Sequence, residues 1–224
     1  MGFVGSMMGG DCKFMEVIRE MRENVLIQNL EKRGFEAVFF ETSKEAVEFM
    51  VERISGKSVG IGGSLTVKEM GLDTALSKEN SVLWHWDAKL VEKLGGAKAV
   101  RDQAQDAQVY VSSVNAIART GQIVNIDGTG NRIASLAYGH EEVYLLVGKN
   151  KITDTLEDAM DRAKNVAAPK NAMRLHRKTP CAIKGDKCYH CYSPDCICNG
   201  YLIHEHAMSG MKMVVVVIGE ELGA

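Results

Sequence analysis

The stretch Val59-Gly60-Ile61-Gly62-Gly63-Ser64-Leu65-Thr66 decides the fold. A short β-branched run from Ser58 to Ile61 reaches a glycine pair, and a helix-like segment follows. Gly62 and Gly63 permit positive φ and close backbone approach. Ser64 or Thr66 can N-cap the next helix, and Thr66 with Glu69 has capping-box spacing. A strand, a glycine turn and a helix start together aim backbone N–H groups at one point, which suits a phosphate or a carboxylate. The plainer alternative is a tight turn, because Gly-Gly-Ser is common in turns.

The same alternation extends outward in both directions. Phe14, Val17, Ile18, Met21, Val25 and Leu30 recur at helical spacing between Lys13 and Arg33, with Gly34 as a C-cap. Ala37 to Phe40 reads as a strand, followed by a helix capped at Thr42 or Ser43 and running through Ile54. Beyond the glycine turn, Leu65 to Leu76 predicts one or two short helices and Ser81 to Trp84 a strand. Asp87 to Gln105 predicts helix with a break at Gly95-Gly96, and Ala107 to Ser112 a strand. Val114 to Arg119 reads as a helical turn ended by Thr120-Gly121, then Gln122 to Ile126 as a strand and Asn131 to Tyr138 as a short helix. Val143 to Val147 is a strand, a helix capped by Thr153 or Asp154 stops near Pro169, and Met213 to Ile218 is the last strand. Strands alternating with helices predict an α/β fold with a mostly parallel sheet and helices on both faces. The tight spacing between Gln122 and Val147 allows an antiparallel pair.

The chain has 224 residues, 46 % hydrophobic and 25 % charged, with a net charge of −2. That composition is globular, and no global basic field points to nucleic acid. No apolar run approaches the length of a membrane span, and no signal-peptide core precedes the first helix, so a cytoplasmic protein is expected. Residues 1–12, rich in Gly and Met, read as a flexible arm, and residues 13–224 as one domain. All three prolines fall at 169, 180 and 194, which marks the neighbourhood of residues 177–206 as an insertion before the last strand.

Five of the six cysteines lie between Cys181 and Cys198. In a cytosolic chain such clustering points to metal or redox chemistry rather than a disulfide framework. Cys188-x-x-Cys191 has the bite of a metal knuckle. Cys196 or Cys198 can supply a third thiolate and Cys181 a fourth, a set that suits Zn or an iron–sulfur cluster. His190 and His204 are possible substitutes, and a thiol pair or unligated thiols are the other readings. A second constellation is Thr120-Gly121 with Asp127, Thr129, Asn131 and Arg132: Thr129 would cap the helix that carries Arg132, and Arg132 would grip a carboxylate or phosphate. The plain alternative is a turn at Asp127-Gly128 and a surface ion pair. Trp84-His85-Trp86 closes a strand, as core or as a stacking platform.

Three ordered segments carry a family resemblance: Gly60-Ile61-Gly62-Gly63-Ser64-Leu65-Thr66, then Ala118-Arg119-Thr120-Gly121-Gln122-Ile123-Val124, then Asp127-Gly128-Thr129-Gly130-Asn131-Arg132-Ile133-Ala134-Ser135-Leu136. Gly148-Lys149-Asn150-Lys151-Ile152 and Ala167-Ala168-Pro169-x-Asn171 follow. Together they resemble the lactate-utilisation (LUD) domain family. The resemblance implies a fold like the ribose-5-phosphate isomerase, glucosamine-6-phosphate deaminase and CoA-transferase group, with the glycine loop as a ligand cradle. Thr179-Pro180-Cys181 and the run from Cys188 to Asn199 look like the cysteine-rich tail of one branch. That branch has a basic residue where this chain has Cys196, which leaves Cys181, Cys188, Cys191 and Cys198 as the implied metal ligands. Some members act in oxidising L-lactate to pyruvate alongside iron–sulfur partner proteins.

The expected ligand site is therefore Gly62, Gly63, Ser64, Thr66, Thr120, Gly121, Asp127, Thr129, Asn131 and Arg132, and the expected ligand a small carboxylate or phosphate. No nucleotide-cofactor motif is present, and a homo-oligomer is plausible. Three functions fit: a subunit or accessory in 2-hydroxy acid oxidation, an isomerase or acyl-transfer enzyme with a structural metal, or a non-catalytic metal-binding protein.

Overall fold

Six parallel strands form the central sheet of the protein, seen in a computed structural model that describes residues 24–224. The expected arm at residues 1–12, Cys12 and the start of the first helix lie outside the described residues. A helix runs through residues 24–32 (α1) into β1 (Glu36–Phe40), α2 (Ser43–Arg53) and β2 (Ser58–Ile61). Next come α3 (Leu65–Glu69), α4 (Leu72–Leu76), β3 (Ser81–Trp84), α5 (Ala88–Leu94), α6 (Ala97–Gln105) and β4 (Val109–Ser113). A hairpin of β5 (Ala116–Ala118) and β6 (Ile123–Asp127) leads to α7 (Asn131–Ala137) and β7 (Glu142–Gly148). The chain ends with β8 (Ile152–Thr153), α8 (Leu156–Arg162), α9 (Ala168–Arg174), α10 (Pro180–Lys184), β9 (Gly200–His204) and β10 (Lys212–Ile218).

The large sheet has the order β1-β10-β7-β4-β2-β3, and a second sheet has the order β8-β5-β6-β9. Side-chain alternation explains why the large sheet is buried on both faces. Tyr144, Leu146, Val214, Val216 and Ile218 join Ala46 and Met50 of α2 and Leu72 and Leu76 of α4 in one apolar cluster. Their neighbours Val143, Leu145, Val147, Val215 and Val217 point the other way, onto Leu26 and Leu30 of α1, Leu136 of α7 and Ile117 and Ile123 of the small sheet. A strand apolar at every position belongs in such a sheet.

The expected α/β class with a mostly parallel sheet is what the chain adopts. Two local readings change. Residues 116–118 form a strand rather than a helical turn, because Gly121 at φ +93° closes a hairpin to β6. The antiparallel pairs are β5 with β6 and β6 with β9, while β7 lies parallel in the large sheet. The helix expected to stop near Pro169 continues: a π-helical turn at Ala163–Ala167 links α8 to α9, and Pro169 falls in the first turn of α9. β9 was not expected at all. It lies just after the cysteine segment and pairs with β6, and its short, partly exposed run carries no strong strand signal.

Gly60 shows how closely helices seat on this sheet. A Cβ there would lie 2.5 Å from the Ala104 carbonyl oxygen and 2.9 Å from Tyr110. Gly60→Ala should therefore push α6 off β2 and destabilise the fold by about 1–3 kcal/mol in denaturant titration. Unchanged stability would mean that α6 is free to shift.

Candidate functional site

Polar side chains collect where the parallel strands end. β7, β4, β2 and β3 are adjacent, and their C-terminal ends deliver Lys151, Ser113, the Gly63-Ser64 loop and His85 to one cavity of about 500 Å³. The chain enters β3 to one side of β2 and β4 to the other, so the loops after β2 and β4 part there, where open α/β sheets bind ligands.

The glycine loop works by close approach rather than by left-handed backbone. Neither Gly62 nor Gly63 has a positive φ. A Cβ on Gly62 would press on Ser112 Oγ at 2.9 Å and Arg132 Cδ at 3.2 Å, and one on Gly63 would meet His85 Nε2 at 3.4 Å. Ser64 is the N-cap of α3, accepting from Val67 N at 3.2 Å. Thr66 is one turn further on, buried, and accepts a hydrogen bond from Lys151 Nζ at 2.8 Å.

Gly63, Ser64, Thr66, Asp127, Thr129, Asn131 and Arg132 all line the cavity, as the expected site requires. Thr120 and Gly121 do not. They form the far turn of the β5–β6 hairpin, held against α1 by Arg33, whose Nε donates to Thr120 O at 2.6 Å. Gly62 sits just beneath the lining and opens space for it. The role expected of Thr129 belongs to Asp127: its carboxylate accepts from Thr129 N and Arg132 N, both at 3.0 Å, and so caps α7. Arg132 is a brace. Its Nη2 donates to Ile126 O at 2.6 Å, and its Nε lies 3.7 Å from Asp127 Oδ2.

Other residues of the wall escaped the sequence reading. With Arg132, the cations Arg101, Lys151, Arg174 and Arg177 line the cavity, and among the described residues the acidic side chains of the lining are Asp127 and Asp195. Asp127 is already satisfied by Arg132 and backbone N–H groups, and Asp195 accepts from Lys178 N at 2.9 Å. Arg174 lies over the Trp86 ring at 4.9 Å, and Trp86 packs against Trp84, which is core and donates from Nε1 to Gly62 O. Burial lowers His85 to about 4, aided by the Arg101 charge, so the imidazole facing the cavity is neutral.

Lys151 is the most unusual group. It is only 3 % exposed, and its Nζ donates to Ser113 Oγ at 2.7 Å as well as to Thr66. None of the ion pairs among the described residues involves it. Burial brings it down to about 7, with the Arg162 and Arg132 charges adding and Glu69 opposing. The only sequence signal was its place in Gly148-Lys149-Asn150-Lys151-Ile152, at a strand end followed by another short strand.

The LUD domain profile matches residues 23–218. The chain belongs to the LUD domain family. In that general sense it is a lactate-utilisation-type protein. A DUF162 family protein from Deinococcus radiodurans has a similar fold, with a TM-score of 0.50 and 11 % identity over 89 % of this chain and 97 % of that chain. Ribose 5-phosphate isomerase A from Neisseria gonorrhoeae aligns with 51 % of this chain and 54 % of its own, at TM-score 0.32 and 15 % identity. The Methanocaldococcus jannaschii isomerase aligns with 69 % and 64 %, at TM-score 0.34 and 17 % identity. No curated protein matches the chain. No helix among the described residues is long and apolar enough to cross a membrane.

In this LUD domain the cysteine segment forms one wall of the cavity. Residues 186–199 have neither helix nor strand. Asn199 anchors them, its N–H donating to Asp127 O at 3.1 Å and its Nδ2 to Gly128 O at 2.9 Å. Gly128 permits this close approach, since a Cβ there would lie 3.1 Å from the Ile197 backbone. Cys196 itself lines the cavity. Its Sγ accepts from Cys198 N, and Cys188 Sγ from His190 N, both at 3.4 Å. Burial raises Cys198 to about 12, with Cys196, Cys188 and Cys181 adding to the shift. All five cysteines here are free, and among the described residues no three Cys, His, Asp or Glu side chains are grouped to hold a metal ion.

The lysine makes a testable statement about stability. A folded value near 7 against an ordinary 10.5 means that the unfolded chain binds the extra proton between those pH values. Lys151 therefore burdens the fold fully below its folded value, and the burden fades as pH rises towards the ordinary one. Lys151→Met should stabilise the protein most at the lower pH. From about pH 7 to about pH 9 its advantage over wild type should shrink by roughly 2–3 kcal/mol. A pH-independent difference would show that the amine is solvated.

Proposed function

We propose that this LUD protein binds a small carboxylate in the cavity and serves, as a subunit or accessory, in the oxidation of L-lactate or a related 2-hydroxy acid. The observation that carries the reading is the cationic cavity at the strand ends. Arg101, Arg174, Arg177 and Lys151 are there, and the acidic side chains among the described residues of the lining, Asp127 and Asp195, are fewer and already accept hydrogen bonds. An anion supplies the missing charge, and guanidinium groups take carboxylates in a bidentate fork. Arg174 is already oriented by the face of Trp86. A cytoplasmic location and iron–sulfur partner proteins belong to the same reading.

A second reading draws on size. A cavity of about 500 Å³ is roomier than a three-carbon acid needs. That favours an isomerase or acyl-transfer enzyme acting on a phosphorylated or acyl substrate. The two readings separate by ligand. Isothermal titration with L-lactate, pyruvate, a sugar phosphate and an acyl-CoA is the direct comparison. Trp86 in the wall should report binding through its fluorescence. Arg174→Gln should weaken carboxylate binding about tenfold or more, in keeping with the loss of a hydrogen bond to a charged group. An affinity unmoved by both Arg174→Gln and Arg101→Gln would place the ligand elsewhere.

We also propose that the cysteine segment takes a metal, zinc or an iron–sulfur cluster, with Cys181, Cys188, Cys191 and Cys198 as the expected ligands. The N–H groups aimed at Cys188 and Cys196 sulfurs support this, as does the electrostatic closeness of Cys181, Cys188, Cys196 and Cys198. A bound cation would lower the pKa of the Cys198 thiol, which burial and then the neighbouring cysteines raise. The packing adds Cys196 as a candidate beside Cys198. Elemental analysis of protein prepared without oxygen should find iron or zinc in stoichiometric amount, lost in Cys188→Ser. Metal-free protein with an unchanged melting temperature would leave the segment as free thiols.

A further inference from the structure

Lys151 does more than complete the charge of the cavity. We propose that Lys151 is a reactive amine that captures the carbonyl carbon of a small 2-oxo acid as an iminium, a covalent step at the wall of the cavity. The inference rests on the carboxylate-binding reading above and extends it to the oxidised partner of the 2-hydroxy acid.

Four observations converge on this residue. Lys151 is buried yet lines the cavity, so the amine is largely desolvated at the wall where a ligand would sit. No carboxylate pairs with it among the described ion pairs, which is uncommon for a buried lysine. The charged groups acting on it are Arg132 of α7, Arg162 of α8 and Glu69 of α3. Two of the three are cations, and Glu69 is itself engaged by Gly223 N at 2.6 Å. Neighbouring cations and burial are the two devices that leave a lysine unprotonated and nucleophilic near neutral pH. Finally, both partners of Nζ are hydroxyls. Ser113 Oγ and Thr66 Oγ1 accept from the amine and donate onward, to Leu146 O at 2.7 Å and Leu222 O at 3.4 Å. A hydroxyl can both give and take a proton, so these two can serve the proton transfers of carbonyl addition, which a carboxylate–lysine ion pair would not.

The step balances without any oxidant or reductant. The Nζ lone pair forms a bond to the carbonyl carbon, and the C–O π pair moves to oxygen, which takes up a proton. The nitrogen loses one proton to give the neutral carbinolamine. A second proton taken up at the hydroxyl lets it leave as water, and the nitrogen lone pair closes the C=N bond. The sum is amine plus ketone plus one proton giving iminium plus water. The acid's carboxylate stays with the cavity's guanidinium groups, which are also the electrostatic partners that distinguish a 2-oxo acid from a simple ketone.

The test is reductive trapping on the intact protein. Wild-type protein is incubated with pyruvate and cyanoborohydride, digested, and mapped by mass spectrometry. A reduced pyruvyl adduct should accumulate on the peptide containing Lys151 well ahead of any surface lysine. Its rate should rise with a midpoint near the depressed value of about 7, far below that of an ordinary lysine. Oxalate should compete, and Lys151→Arg should carry no adduct at this position. Mapping the wild-type peptide keeps the test valid even if the variant folds poorly. Protein that binds pyruvate in calorimetry but labels Lys151 no faster than surface lysines overturns the inference and leaves the carboxylate-binding reading intact. Protein that binds no carboxylate at all overturns both.

Discussion

Burial of the parallel sheet on both faces is the constraint from which the rest follows. Along β7 and β10 every second side chain enters one apolar cluster and its neighbours enter the other. A polar group in mid-strand would have no water and few partners, at a cost of a few kcal/mol. Chemistry is thus displaced to the strand ends. The two ends are treated differently. At the start of β7, Glu142 pairs with Lys57 and accepts from Tyr144 OH at 2.7 Å, while Glu36 of β1 holds Arg53 and Lys212. These pairs neutralise one another. At the opposite end the cations of the cavity outnumber the acids, and Asp127 and Asp195 are already engaged. That surplus of positive charge is the ground on which an anionic ligand is proposed.

The small sheet turns that rim into an enclosed site. β6 ends at Asp127, whose carboxylate caps α7 and whose carbonyl accepts from Asn199. One residue thus ties together the helix carrying Arg132, the hairpin and the cysteine segment. The metal question and the ligand question meet here, because Cys196 belongs both to the thiol group around Cys198 and to the cavity wall. A centre formed by those thiols would adjoin the ligand rather than stand apart from it. Lys151, on the other side, is held by two hydroxyls in a place where its own charge is disfavoured, and a fold tolerates such a group more readily where it serves a ligand.

What could be read from the chain and what could not divide along physical lines. Strong apolar runs such as Val143 to Val147 and Met213 to Ile218 declared themselves as buried parallel strands. Gly34, Gly95 and Gly96 punctuated helices as expected. The hairpin at Thr120-Gly121 was misread because Val114 to Arg119 is short and apolar, a length at which periodicity cannot separate strand from helical turn. Thr120 and Gly121 entered the expected site because adjacency in sequence to Asp127 was taken for adjacency in space, whereas the extended strand β6 puts the hairpin turn and Asp127 at opposite ends. Arg101 and Arg174 carried no local motif, and Lys151 had only its place in the segment Gly148 to Ile152. They reach the cavity from α6, α9 and the turn after β7, elements separated by long stretches of chain.

The sequence by itself determined the α/β class, the parallel sheet, the glycine loop at the end of β2 and the family, because these depend on short-range patterning and on motifs that recur in order. Only the tertiary structure decided which of the polar residues share a cavity, that Arg132 is a brace and Asp127 a cap, and that Cys196 lines the cavity. It alone put Lys151 between two hydroxyls, with no ion pair to it among the described residues. The physical reason is that charge balance and burial are properties of the whole packed molecule: a lysine becomes unusual only when distant segments close over it.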